Sequence, residues 1–208
     1  MSKFNDEYYI AHTPFTPTQF HLKPDQKTVE RRYRYKQLSA DSPPLYFTNA
    51  CKEQDLKKGI CRALTDIMSD GASFVVKREI KDYLSQFAIS SLVLHPAIIA
   101  DGDIYHDDYW YLNIFNRLDC WDRQVSIYEF DEEDDEGELE ASVDKFSLDQ
   151  AKLEGIPEEN RLIFKIGGTS SAYVFFHEKI VEYLLDEHHT GIRFFKVSEF
   201  SEGDQHEI

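Results

Sequence analysis

The densest group of potential metal ligands and acid–base residues lies near the middle of the chain. Asp101, Asp103, His106, Asp107 and Asp108 fall within eight positions, and oxygen-rich groups of this kind can hold a hard cation. The spacing does not match an EF-hand loop, and no His-Glu-x-x-His motif follows it. We interpret these residues as the polar tip of a hairpin. The alternative is a small enzyme with an acidic, metal-assisted site around residues 101–108.

No other pattern in the sequence identifies catalytic machinery. Residues 167–171 read Gly-Gly-Thr-Ser-Ser, which lacks the lysine of a phosphate-binding loop, and there is no G-x-S-x-G nucleophile motif. Cys51, Cys61 and Cys120 form no C-x-x-C pair, which argues against a disulfide framework or a structural zinc site. We therefore predict no catalytic residue, no bound metal and no cofactor, and we predict that the protein is not an enzyme.

A run of acidic residues is the strongest compositional feature. Residues 129–140 contain nine acidic side chains and no Lys or Arg. Like charges repel one another, so such a run is typical of a solvated loop, and it can steer a basic partner surface toward the protein. A solvated insertion without any partner is the alternative interpretation. The predicted partner-binding residues are Asp131, Glu132, Glu133, Asp134, Asp135 and Glu136.

The overall charge narrows the classes of partner. The sequence has 23 basic and 39 acidic residues, a formal net charge of −16, and this field repels phosphate backbones and anionic lipid surfaces. We therefore predict a basic protein partner and neither nucleic acid nor membrane binding. The one basic cluster, residues 31–36, is interpreted as pairing with the acidic body and not with RNA. The aromatic richness leaves a homodimer open.

Targeting signals are not visible in the sequence. Residues 1–20 lack an apolar core like that of a secretory signal, and no apolar run reaches the length that spans a bilayer. We therefore predict a cytoplasmic location.

The sequence predicts an α+β fold in which a largely antiparallel sheet packs against a few helices. Five prolines within residues 1–50 disfavour helix there, so this segment is predicted to be an extended arm that packs on the body. Within it, residues 8–10 and 45–47 are predicted to be edge strands or anchors. Residues 51–208 are predicted to form one α+β domain, with an acidic loop at 129–140.

Hydrophobic periodicity places the elements of that domain. Apolar residues at helical spacing predict helices over 52–70, 78–87 and 177–188, whereas short apolar or alternating runs predict strands. An Asp-Gly pair at 101–102 predicts a hairpin turn between two of the strands. No internal repeat is identified. The predicted strands are 89–99, 105–115, 124–130, 161–166, 172–176 and 192–197.

An ordered series of short segments resembles a known family. These segments are residues 94–99 (LHPAII), 109–114 (YWYLNI), 118–120 (LDC), 156–164 (IPEENRLIF), 174–178 (VFFHE) and 190–194 (TGIRF). Together they resemble immunity protein family eleven of bacterial polymorphic toxin systems. The resemblance implies a protein that neutralises a cognate toxin by binding it; an adaptor or chaperone for an effector is the alternative.

Five residues of this series are prominent by type and are interpreted as structural residues. They are Tyr109, Trp110, Asn113, Asp119 and Cys120.

Overall fold

The computed structural model describes residues 2–34, 36–130 and 140–206. The predicted partner-binding residues 131–136 lie outside the described residues. The described helices are α1 Phe4–Glu7, α2 Gln26–Glu30, α3 Lys52–Lys58, α4 Arg78–Leu84, α5 Gln150–Glu154 and α6 Glu178–Asp186. The described strands are β1 Tyr8–His12, β2 Leu22–Pro24, β3 Leu45–Asn49, β4 Ile67–Ser69, β5 Phe74–Lys77, β6 Leu92–Asp101, β7 Ile104–Ile114, β8 Arg117–Leu118, β9 Ile127–Phe130, β10 Ala141–Lys145, β11 Ile163–Ile166, β12 Val174–His177 and β13 Arg193–Lys196.

These strands form two larger sheets and one two-stranded sheet. The first sheet has the order β2-β3-β6-β7-β5-β4, the second has the order β13-β1-β12-β11-β8, and β9 pairs with β10. Among the described strands, β3–β6 and β8–β11 pair in parallel and the other pairs are antiparallel. The predicted α+β class with a largely antiparallel arrangement is confirmed.

The hairpin predicted near residue 101 is the longest in the described chain. Strands β6 and β7 pair antiparallel down to Asp101 opposite Ile104. Gly102 has φ 63° at the reversal, a left-handed conformation that glycine adopts without a steric cost from a Cβ atom. The Asp-Gly signal therefore located the turn correctly.

The N-terminal segment lies inside both larger sheets. Strand β1 sits between β12 and β13, and β3 sits between β2 and β6. The prediction that residues 8–10 and 45–47 are edge strands is therefore wrong. The reason is packing on the sheet faces, because Tyr8, Ile10, Leu45 and Phe47 are fully buried and only tertiary contacts reveal both neighbours of each strand.

The predicted helix over 52–70 is too long. Helix α3 ends at Lys58, where Gly59 takes φ 63° as its C-cap, and the chain then reaches strand β4 at Ile67. Leu56, one of the apolar residues at helical spacing within 52–70, is 76% exposed. The later apolar residues of the period belong to extended chain; Ala63, for example, bridges in parallel to Gln19. A 3.6-residue spacing in a short segment did not distinguish the two conformations.

Two similar hairpin–helix units lie where the two larger sheets meet, one unit in each sheet. In the first hairpin–helix unit, residues 67–84, Ile67 pairs with Val76 and helix α4 follows β5; in the second, residues 163–184, Ile163 pairs with Phe176 and helix α6 follows β12. Ile, Tyr and Leu recur at 80, 83 and 84 and at 180, 183 and 184, in each case 100 positions later. The two units therefore share a chain path, and few of their residues are identical; besides the three helix positions, Ile67 of the first unit corresponds to Ile163 of the second.

The helices of the two units meet in a shared core. Ile80 and Leu84 lie in one buried cluster with Ile180 and Leu184. The rings of Tyr83 and Tyr183 stack with centroids 3.6 Å apart and planes 5° apart. Equivalent residues thus pack against each other at the junction of the two sheets.

Candidate partner-binding surface

Strands β9 and β10 flank the acidic segment and fix its two ends. Phe130 pairs with Ala141, so residues 131–140 connect two neighbouring strands. Beside this connection the structure exposes apolar side chains: Val125, Ile127 and Phe130 are each more than half exposed, with Phe130 at 59%. We call these exposed apolar side chains the apolar patch. Because successive strand residues alternate, Ile127 and Phe130 lie on opposite faces of β9, close to where the chain enters residues 131–140.

The inner side of this two-stranded sheet is firmly anchored. The Tyr128 ring packs edge-on against Trp121 at 5.0 Å between centroids. Trp121 is buried, and its indole N–H donates to the carbonyl of Gly167 at 3.1 Å. The carbonyl of Ala141 accepts hydrogen bonds from the Thr169 hydroxyl at 2.6 Å and from the Ser170 amide at 3.0 Å. The sheet is therefore tied to the turn of the second hairpin–helix unit.

The outer edge of β9 has the properties of a docking strand. Within the described chain β9 pairs only with β10, so its other edge presents backbone donors and acceptors without a strand partner. Such an edge can accept an added strand, while exposed apolar side chains provide contact area. We define the outer edge of β9, with Val125, Ile127 and Phe130, as the candidate partner-binding surface; the predicted partner-binding residues 131–136 follow it in the chain and lie outside the described residues.

Two of the five family-series residues lie side by side on strand β7. Tyr109 is buried, and its hydroxyl donates to the carbonyl of Thr65 at 3.0 Å. Trp110 is half-buried, and the guanidinium of Arg78 lies 4.7 Å from its ring centroid. Tyr109 thus ties β7 to the segment before β4, and Trp110 packs beneath the start of α4.

Asn113 organises the segment that carries the basic cluster. Its side-chain oxygen accepts from the Leu38 amide at 2.8 Å, and its amide group donates to the carbonyls of Tyr33 and Lys36, each at 3.0 Å. Asn113 is itself buried. Within this cluster Arg34 pairs with Asp70 at 3.1 Å, in agreement with the ion-pairing interpretation of residues 31–36.

Asp119 and Cys120 lie where the second unit's turn meets the segment after β8. Asp119 makes a two-pronged ion pair with Arg123 at 2.8 and 3.0 Å. Cys120 is buried, and burial, with a smaller contribution from Asp119, raises the pKa of its thiol to about 12. A thiol with this pKa is protonated near neutral pH and is a poor nucleophile.

The rival site around residues 101–108 is not assembled. Successive side chains of a strand point to opposite faces, so His106 and Asp108 on β7 face away from Asp107. In the described ranges, no three His, Cys, Asp or Glu side chains are grouped closely enough to hold a metal ion. The spacing that looked dense in sequence is therefore divided between two faces of the hairpin.

A cleft of about 530 Å³ lies between the turns of the two units, and no pattern in the sequence predicted it. Its polar lining includes His12, His21 and Tyr173. The Tyr173 hydroxyl is committed to hydrogen bonds with Glu202 and Gln205, and burial lowers the pKa of His12, with further lowering by His206. Hydrogen bonds do not connect these groups into a nucleophile, a general base and a residue that orients the base.

The described structure is therefore that of an acidic α+β protein. The model of the immunity protein family (Imm11) matches residues 9–199. The chain belongs to this family, which confirms the resemblance found in the sequence. A search of curated proteins finds no match. None of the helices in the described part of the chain is both long and apolar enough to cross a membrane.

Proposed function

We propose that this protein neutralises a cognate bacterial toxin by binding it directly, without catalysing a reaction. The observation that carries the proposal is membership of the immunity protein family over residues 9–199. We place this activity in the cytoplasm of a cell that makes a polymorphic toxin. The toxin partner is proposed to present a basic surface.

Charge supports a basic partner. The net charge of −16 attracts a cationic protein and raises the rate of encounter, an effect that salt screens. Nine acidic residues lie within 129–140, so the sequence concentrates negative charge directly after the candidate partner-binding surface. Acidic side chains can also occupy positions on a toxin that would otherwise contact a phosphate-rich substrate.

The apolar patch supports a stable complex once the partners have met. Charged side chains at the rim of an interface act mainly on the association rate, whereas buried apolar contacts act on the dissociation rate. Ile127 and Phe130 are each more than half exposed and lie on the strand that leads into residues 131–136. We propose that they become buried against the toxin.

The first experiment is genetic and biochemical. The tagged protein is purified from its native host with the neighbouring genes expressed, and bound proteins are identified by mass spectrometry. A stoichiometric toxin domain, together with self-intoxication of a strain that lacks this gene, supports the proposal. Recovery of the protein without a toxin, and unchanged fitness of the deletion strain, would overturn it.

Variants then locate the interface. The triple change Glu132→Lys, Glu133→Lys and Asp134→Lys is expected to lower the association rate by about tenfold or more at low salt. The matched control reverses three other acidic residues, Asp101→Lys, Asp103→Lys and Asp107→Lys, and so changes the net charge equally. Equal slowing by both triple variants would show that binding depends on total charge and not on the acidic run.

The apolar patch is tested by dissociation kinetics. Phe130→Ser is expected to raise the dissociation rate by about tenfold or more, since a buried aromatic anchor contributes at least 1 to 2 kcal/mol. Leu56→Ser, at an exposed apolar residue on α3, is the control and should leave the rate unchanged. An unchanged rate for Phe130→Ser would remove β9 from the interface.

The same experiments separate the alternatives. An effector adaptor or chaperone would bind a delivery segment and not the isolated toxin domain. A metal-assisted enzyme would show a rise in Tm with a divalent cation, since a ligand that binds only the folded state stabilises it. The Asp101, Asp103 and Asp107 control variant would abolish that rise.

A further inference from the structure

A small basic pocket lies between the two hairpin–helix units of this acidic protein. It has a volume of about 140 Å³ and is lined by three cationic side chains, Arg34, Arg117 and Lys165, with Ala72 and Ala172 from the two turns. The three cationic residues come from three separate parts of the chain. Such convergence of positive charge is unexpected in a protein with a net charge of −16.

Lys165 is the central feature of the pocket. It lies on β11 between fully buried Phe164 and Ile166, and only 7% of its surface is exposed. Within the described residues its ammonium group makes no hydrogen bond or ion pair, although burying an unpaired charge is costly. The pKa of Lys165 is lowered to about 8, chiefly by burial; Asp70 opposes this shift, and Arg117 and Arg34 add to it.

The other two cations are held beside Lys165 by the fold. Arg117 is paired in register with Lys165 across the parallel strands β8 and β11, and side chains of paired residues project to the same face of a sheet. Arg34 is held over the pocket by its ion pair with Asp70 at 3.1 Å. In the described residues Arg117 makes no ion pair of its own.

The carboxylate of Asp70 does not neutralise the group. Its oxygens already accept hydrogen bonds from Tyr33, from Arg34 and from the amides of Ala72 and Ser73. Three cations against one carboxylate leave an excess of two positive charges around the pocket. The pocket therefore carries more positive than negative charge.

We propose that this pocket binds a small oxyanion, of the phosphate or sulfate class. Arginine guanidinium groups match the oxygens of such anions, and a lysine adds a point charge. A volume of about 140 Å³ holds a phosphate group but falls short of the roughly 300 Å³ at which sites for whole drug-sized ligands begin. A bound oxyanion would link β8, β11 and the 31–36 segment, and this inference does not depend on the proposed function.

The test measures thermal unfolding and titration heat with inorganic phosphate, against chloride at the same ionic strength. At a phosphate concentration about ten times its Kd, the Tm of the parent protein is expected to rise by about 3 to 6 °C. Lys165→Met and Arg117→Met should each lose the rise. Lys57→Met removes the same charge from an exposed position on α3 and should keep it.

Two results would overturn the proposal. One is a parent protein whose Tm and titration heat do not respond to phosphate; the other is a response of equal size in Lys165→Met. Because Arg117 is exposed, Arg117→Met provides the answer if Lys165→Met fails to fold. Titration with a nucleoside monophosphate tests whether the pocket also accepts a phosphate group that is attached to a larger molecule. Competition between this compound and inorganic phosphate would show that it does.

Discussion

The two hairpin–helix units share one backbone plan but bury opposite charges near their turns. In the first unit Asp70 follows β4 and receives four groups of donors, including Tyr33 and Arg34 from the 31–36 segment. In the second unit, Ile166 occupies the position of Asp70, and Lys165 occupies that of Ser69, without a partner in the described chain. Two units with a similar chain path can therefore bury different charged residues, because the segments that pack around each unit supply the hydrogen-bond and ion-pair partners of those residues.

The turns of the two units also differ in how closely they are packed. Gly71 and Gly168 both have positive φ values, 86° and 69°. A Cβ atom at Gly71 would meet nothing within 4 Å, whereas one at Gly168 would lie 2.5 Å from the Arg123 guanidinium and 2.9 Å from the Asp119 carboxyl carbon. The Asp119–Arg123 ion pair thus closes over the second turn and leaves the first one open.

The largest expected loss of stability comes from removing the hydrogen-bonded carboxylate of Asp70. Asp70→Ala leaves Arg34, Tyr33 and two amides without their acceptor, so it should lower the free energy of unfolding by about 3 to 5 kcal/mol. Urea unfolding at neutral pH measures this loss. Ile166→Val, at the equivalent position, should cost only about 0.5 to 1.5 kcal/mol; similar losses for the two variants would contradict the comparison.

The next effect distinguishes the packing of the two turns. Gly168→Ala should cost about 2 to 3 kcal/mol, since a strained left-handed residue is added to a crowded site. Gly71→Ala should cost only about 1 to 2 kcal/mol, from backbone strain alone. Thermal unfolding of both variants ranks them, and an equal cost would mean that the Asp119–Arg123 pair moves aside freely.

The unpaired lysine should be visible in the dependence of stability on pH. The pKa of Lys165 is about 8 in the folded state and 10.5 ordinarily, so between these values the unfolded chain holds a proton that the folded chain has released. Stability therefore rises with pH in this window. From about pH 7 to about pH 9.5, the parent should gain about 2 kcal/mol relative to Lys165→Met.

That comparison is best made in chloride buffer without phosphate. Parallel pH profiles for the parent and Lys165→Met would show that Lys165 is not desolvated. Above about pH 10 the buried tyrosines act in the opposite direction, because burial raises the pKa of Tyr8 to about 12 and the folded state then holds the extra proton.

The smallest effect concerns the stacked tyrosines that join the units. The Tyr83 hydroxyl donates to the carbonyl of Lys179 at 3.0 Å, whereas the Tyr183 hydroxyl makes no hydrogen bond within the described residues. Tyr83→Phe should therefore cost about 0.5 to 1 kcal/mol and Tyr183→Phe close to nothing, since both keep the ring stack. Urea unfolding of the two variants decides; a reversed order would contradict the assigned hydrogen bond.

Strong local signals were sufficient for many elements. The Asp-Gly pair placed the β6–β7 hairpin, and apolar periodicity placed α6, which runs from Glu178 to Asp186. The predicted helix over 52–70 failed because Gly59 ends it and the following apolar residues pair with distant chain. The similarity of the two hairpin–helix units could not be predicted, because they share a chain path and few identical residues.

For the candidate partner-binding surface, the sequence located the acidic run but not the open strand edge and the exposed apolar side chains that precede it. Val125 lies in the turn before β9, and Ile127 and Phe130 lie on opposite faces of that strand; the exposure of all three depends on how the rest of the described chain packs around them. The oxyanion pocket could not be predicted, since Arg34, Arg117 and Lys165 are far apart in the chain.

By itself, the sequence determined the α+β class, the strong negative charge and the family, because these depend on composition, local periodicity and the order of short segments. Tertiary structure alone decided that the N-terminal strands lie inside both sheets and that two similar units face each other. It also decided that Asp70 has hydrogen-bond partners and that Lys165 has none among the described residues. These features depend on contacts between residues distant in sequence, and burial turns such contacts into large differences in the free energy of a charge.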